Sequence, residues 1–212
     1  MTGRTGAHRT ARWLWICCLA LLAAGCMGRS EPARFYILQP AALLPEDVAA
    51  QPPPAEAGCF VLGVGPVVLP GFVDRDQMVA RQGDHTLTVA EFDRWAEPLD
   101  KAFARTLATN LEQLVCARPA VSYPFPQGMQ LDRQVSLQLS RHDCMPGRDC
   151  VLEASWVVLD SRGDALATGA ARLQQPLAGQ SYAAMAAGLS QLNAALAVDV
   201  AASLRQAART RR

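Results

Sequence analysis

A single α/β domain is predicted for this chain, with a mixed, mostly antiparallel sheet of about five to six strands packed against two long amphipathic helices. Three observations carry that expectation. Apolar residues recur at helical spacing in two long stretches, Trp95–Leu114 and Met185–Leu204. Val135, Leu137 and Leu139 alternate with Ser136, Gln138 and Ser140, the pattern of a strand with one buried and one wet face. No internal repeat and no second apolar core pattern divides the 212 residues.

The chain opens with Arg4, Arg9 and Arg12, followed by the apolar run Trp13–Ala24 and the small pair Ala24-Gly25 before Cys26. As a helix that run reaches only about 18 Å, well short of the ~30 Å hydrocarbon core of a bilayer. A basic start, a short apolar stretch and small residues ahead of a thiol read as a bacterial lipoprotein signal covering residues 1–25. The mature protein is then expected to begin at Cys26, carrying covalent diacylglycerol and an N-acyl chain and needing no other cofactor. Met27, rather than an aspartate, follows the cysteine and favours sorting to the periplasmic face of the outer membrane.

Loss of the three signal arginines takes the formal net charge from +1 to about −2. A near-neutral mature chain gives no electrostatic case for nucleic acid. Residues 26–33 form the expected tether, residues 34–208 the domain, and residues 209–212 a basic tail.

Within the domain, Arg34-Phe35-Tyr36-Ile37-Leu38 predicts a short first strand that Pro40 ends. Residues 41–58 are rich in Ala and Pro and predict a mobile surface loop with polyproline character. Cys59–Leu69 is almost continuously apolar and predicts a strand buried on both faces. Gly63 and Gly65 in that run suit close packing or a bulge, because the third glycine and the helix of a nucleotide fingerprint are missing. Two short strands, Gln77–Arg81 and Thr86–Val89, are expected around the turn Gln82-Gly83-Asp84-His85.

The first helix is expected from about Glu91 or Asp93 to Val115, with Trp95, Leu99, Phe103, Leu107, Leu111 and Leu114 on one stripe and Pro98 in its first turns. Pro119 marks its end. A three-strand meander follows, continuing through Cys150–Leu159 and Ala165–Leu173, and the last helix spans Ser181 to about Ala208.

Four cysteines remain in the mature domain besides Cys26: Cys59, Cys116, Cys144 and Cys150. An exported compartment favours disulfides, and four thiols allow three connectivities. The turn-rich Met145-Pro146-Gly147-Arg148-Asp149 between Cys144 and Cys150 favours their pairing, leaving Cys59 to Cys116 by elimination. A metal site on His142, Cys144 and Cys150 is the alternative, but it lacks a fourth ligand.

No nucleophile elbow, metalloprotease helix or phosphate loop is present in the sequence. Asp74, Asp76, Asp84, Glu91, Asp93 and Glu97 cluster, yet Arg75, Arg81 and Arg94 are interleaved with them, which suits paired charges or an interface better than acid and base catalysis.

Four segments stand out in order: Arg34-Phe35-Tyr36-Ile37-Leu38, Gly65-Pro66-Val67-Val68-Leu69-Pro70, Asp74-Arg75-Asp76-Gln77 and Arg94-Trp95-Ala96-Glu97-Pro98-Leu99. In these the chain resembles the PqiC/YmbA-like lipoproteins, auxiliary components of ABC-type transport systems, over roughly residues 26–205. Asp76 stands where proline is common in that family, and Gly71-Phe72 replaces a more usual Tyr-Leu.

The resemblance implies a noncatalytic lipoprotein that docks a periplasm-spanning MCE-domain protein, as a homo-oligomer, in a path moving lipid between the two membranes and supporting envelope integrity. A periplasmic lipoprotein that binds a lipid or small apolar ligand directly is the alternative. Phe72, Asp74, Arg75, Gln77, Met78, Arg81 and Arg94 are the expected partner-interface residues.

Overall fold

The structure is a computed structural model that describes residues 31–41 and 59–209. The signal, Cys26, almost all of the Ala/Pro-rich loop and the end of the basic tail lie outside the described residues. Those in the unit Ala33–Arg212 form eight strands in one mixed sheet and two helices. The class is the one the sequence predicts, with more strands than expected.

The sheet is organised by β6 (Arg133–Met145), its longest strand. On one edge β6 pairs antiparallel with β7 (Asp149–Asp160), and β7 in turn pairs antiparallel with β8 (Ala165–Pro176), giving the expected meander. The other edge is shared. Its first half pairs parallel with β2 (Phe60–Val68), and Cys144 near its end pairs parallel with Ala80 of β3 (Gln77–Arg81). β2 and β3 therefore follow one another along the same edge of β6, and the residues between them leave the sheet. Beyond β3 lie β4 (Leu87–Trp95) and β1 (Arg34–Tyr36), and beyond β2 lies β5 (Ala117–Ser122).

The alternation of β6 changes phase along its length. Val135, Leu137 and Leu139 are buried at odd positions, whereas His142 and Cys144 are buried at even ones. The register against β7 slips between Leu139 and Arg141, so Ser140 is an extra residue, a β-bulge that turns the later even positions to the same face. Asp143, also buried, alternates with them and meets Arg81 and Arg141 instead.

Helix α1 (Leu99–Leu114) packs over β2 and β5, and α2 (Tyr182–Arg209) over β7 and β8 beside α1. Leu99, Phe103, Leu107, Leu111 and Leu114 supply the buried stripe of α1. On α2, Met185, Leu189, Leu192, Leu196, Val200 and Leu204 are buried in the same core. By length and composition α2 passes for a membrane span, but it is mostly buried in the domain and serves as a core helix.

Two elements differ from expectation. Helix α1 begins at Leu99, not at Glu91 or Asp93, because Pro98 is its N-cap and a residue preceding proline is pushed towards extended backbone. Trp95 continues the helical spacing in sequence yet is the last residue of β4, buried beside Asp93. The strand β5 was not expected, since Pro119 reads as a stop. It lies at a sheet edge, where a missing N–H is tolerated.

Candidate interaction surface

The segment between β2 and β3 is held at both its sides. Pro70 O accepts from the N–H groups of Val73 and Asp74 at 3.0 and 3.2 Å, and Asp76 O accepts from Trp95 N at 2.7 Å. Val73 is buried and Phe72 packs half-buried against the core. Two apolar side chains thus pin the segment while Gly71, Asp74, Arg75 and Asp76 are left exposed. The result is a fixed, charged projection on a shared sheet edge.

The remaining interface candidates have different surroundings. Gln77 and Arg94 are register partners on β3 and β4, both half-buried, and the buried Nε of Arg94 has no hydrogen-bond partner. Met78 is 1% exposed and belongs to the core of the single chain. Arg81 faces inward, donating from Nε and Nη2 to both carboxylate oxygens of Asp143 at 2.8 and 2.9 Å, and from Nη1 to Asp84 O at 3.1 Å. Arg141 reaches the same carboxylate at 3.2 Å. Burial pushes the Asp143 carboxyl up, but its two guanidinium partners more than offset this and hold it below its usual value. Arg81 is therefore committed to a structural ion cluster rather than displayed at the surface.

Sequence reasoning did not anticipate a second cluster. β1 pairs parallel with β4 in the register Arg34↔Asp93, Phe35↔Arg94 and Tyr36↔Trp95, so the first and fourth distinctive sequence segments lie side by side. Arg34 donates to both oxygens of Asp93 at 2.8 and 2.9 Å, and the Tyr36 hydroxyl donates to Asp93 Oδ1 at 2.7 Å. Hydrogen bonds from Arg34 chiefly hold the Asp93 carboxyl below its ordinary value, helped by Tyr36 and opposed by burial. The following residues continue the tie, since Leu38 O accepts from Arg105 Nη2 and Thr106 Oγ1, and Arg105 pairs with Glu97. Arg34 and Tyr36 precede Asp93 by more than fifty residues, and nothing in their spacing signals that they share a carboxylate.

The four domain cysteines are joined as Cys59–Cys116 and Cys144–Cys150. The first bond ties the entry of β2 to the end of α1, and the second closes the β6–β7 turn beneath α2, both sulfurs lying near Met185 O. His142 is not a ligand in this arrangement. It is buried against Phe103 in an edge-to-face contact at 5.5 Å, with no hydrogen bond at either ring nitrogen. Among the described residues no group of three metal-ligating side chains comes together.

A family model described as "ABC-type transport auxiliary lipoprotein component" matches residues 42–201. No curated protein matches the chain. Among solved structures, an uncharacterized protein superposes with a TM-score of 0.62 at 19% identity, covering 82% of this chain and 99% of its own. A DUF330 protein from Xanthomonas campestris gives 0.62 at 17% identity, with 84% and 99% covered. At these identities the likeness is one of fold.

Proposed function

The chain belongs to the family of ABC-type transport auxiliary lipoprotein components, and we propose that it is a noncatalytic, outer-membrane-anchored subunit that docks an MCE-domain protein spanning the periplasm. In this reading the acylated Cys26 holds the domain on the periplasmic face of the outer membrane. Copies of the chain assemble there and receive the end of a conduit that moves lipid between the membranes.

The observation that carries the docking role is the projection Gly71–Asp76. Exposed loops carry recognition when a rigid scaffold fixes them, and this one is fixed by Phe72, Val73 and three backbone hydrogen bonds. It displays Asp74, Arg75 and Asp76 in close succession, a set of alternating charges that selects a partner of matching pattern and penalises a mismatched one. Arg94 and Gln77, half-buried on the adjoining strands, extend the same surface.

Site-specific photocrosslinking in living cells tests the reading. A crosslinker at Arg75 is expected to trap an MCE-domain protein, whereas one at Thr168 on β8 is expected not to. Capture of no MCE-domain protein from Arg75, in cells where the lipoprotein is present and acylated, would overturn the assignment.

A further inference from the structure

β1 forms one edge of the sheet, and two large apolar side chains, one on it and one just after it, are left exposed there. Phe35 is 64% exposed and Ile37 46% exposed. They alternate with Tyr36, which is occupied by Asp93 and lies 6.5 Å from the ring of Tyr182. Phe35 and Ile37 therefore turn away from that cluster. With Tyr36, Pro40, Ala186 and Ala187 they line an open, largely apolar groove of about 460 Å³ between the β1 edge and the start of α2. Neither side chain is needed by the core, which already contains the neighbouring Leu38.

What covers this patch is indicated by its place in the chain. Phe35 follows Cys26 by nine residues, and nine residues reach at most about 32 Å when fully extended. An acyl group on Cys26 thus confines Phe35 and Ile37 to the vicinity of a bilayer surface. Phe and other apolar side chains standing free beside a lipid anchor are suited to the boundary between headgroups and acyl chains. A second copy of the chain is a poorer occupant, because Phe35 supplies only about 150–250 Å² and, even with Ile37 beside it, falls short of the roughly 500 Å² that each partner gives to a specific interface of about 1,000 Å².

We propose that the sheet edge formed by β1 and the residue after it is a second membrane contact, in which Phe35 and Ile37 enter the lipid interface and fix the orientation of the domain on the bilayer. The inference rests on the lipidation of Cys26 and deepens the proposed function. The acyl chains hold the protein to the membrane, and the inserted side chains decide which way its docking edge faces.

The test uses the mature, lipidated protein, which begins at Cys26 and so lacks Trp13 and Trp15 of the signal, reconstituted into vesicles of phosphatidylethanolamine and phosphatidylglycerol carrying acyl chains brominated near the headgroup. Trp95 and Trp156 are buried, so a tryptophan placed at Phe35 reports on its own surroundings. The Phe35→Trp variant is expected to shift its emission to shorter wavelength and to lose about twofold in added intensity, the response of a ring at the interface. A Val68→Trp variant on β2 is expected to show neither change.

If the Phe35→Trp variant remains unquenched while mass spectrometry shows acylated Cys26, the second contact is refuted and the lipidation reading stands. If Cys26 carries no acyl chain, the lipidation reading falls and the proposal with it. Emission already shifted in detergent, and returning on dilution as oligomers dissociate, would assign the patch to a second copy and overturn the proposal.

Discussion

His142 is buried among apolar neighbours with no partner for either nitrogen, and burial pushes its pKa from 6.5 down to about 4. The unfolded chain takes up a proton near pH 6.5, while the folded chain resists until about pH 4. Stability should therefore fall as pH drops through that window, by about 3 kcal/mol if the whole shift is expressed. Denaturant titrations of His142→Leu are expected to lack this slope, and the variant should be the more stable protein at pH 5. An unchanged slope would place the proton uptake elsewhere. Asp143 acts at lower pH: its depressed folded pKa means that its contribution is lost only as pH falls below the ordinary carboxylate value. A second residue-scale test concerns Gly169, opposite Trp156 on β7. A Cβ there would run into the Trp156 ring at Cζ2, and the indole is held by its bond to Ser203 Oγ at 3.1 Å. Gly169→Ala should cost about 1–3 kcal/mol through overpacking, read as a lower denaturation midpoint with unchanged m-value. The sequence shows His142 as a polar residue late in a strand, but its burial follows from the bulge at Ser140, which no local pattern announces. Met78 shows the converse, since it lies just after the charged run Asp74-Arg75-Asp76 while its side chain enters the core.

At the scale of elements, the meander and both helices were legible because their apolar periodicities are long and local. Val135, Leu137 and Leu139 place one face of β6, and the α2 stripe from Met185 to Leu204 needs no partner to be recognised. What was not legible is the joint between β4 and α1. The spacing from Trp95 to Leu99 satisfies a helix, and it is Pro98, the pairing of Trp95 with Tyr36 of β1 and its N–H bond to Asp76 O that make it a strand residue. Likewise Pro119 is compatible with a strand only once β5 is known to be an edge. The disulfides fasten elements over different chain lengths, with sequence separations of 57 and 6. Loop-entropy scaling gives about 4 kcal/mol for the longer closure and about 2 kcal/mol for the shorter. Paired Cys→Ala replacements should follow that order in chemical denaturation: loss of Cys59–Cys116 should be the more damaging. The reverse order would mean that packing under α2, rather than chain constraint, governs the contribution of Cys144–Cys150.

For the whole molecule, β6 is the organising strand, with the meander on one edge and β2 and β3 in succession on the other. This division forces the chain to leave the sheet between Val68 and Gln77, and the exposed Asp74, Arg75 and Asp76 are the consequence. The distinctive sequence segments marked this region, but not that two of them, around Arg34 and Arg94, meet across β1 and β4. That contact depends on tertiary pairing alone. The projection is therefore separable from the scaffold: Asp74→Ala/Arg75→Ala removes two exposed side chains and should leave unfolding within about 0.5 kcal/mol of the parent.

The most direct measurement of the central claim is the affinity of acylated protein for an MCE-domain partner, compared between the parent and the Asp74→Ala/Arg75→Ala variant. Loss of one or two well-placed charges at an interface of this kind is expected to weaken binding about tenfold or more. Equal binding by the folded variant, or no binding by the parent, would contradict it.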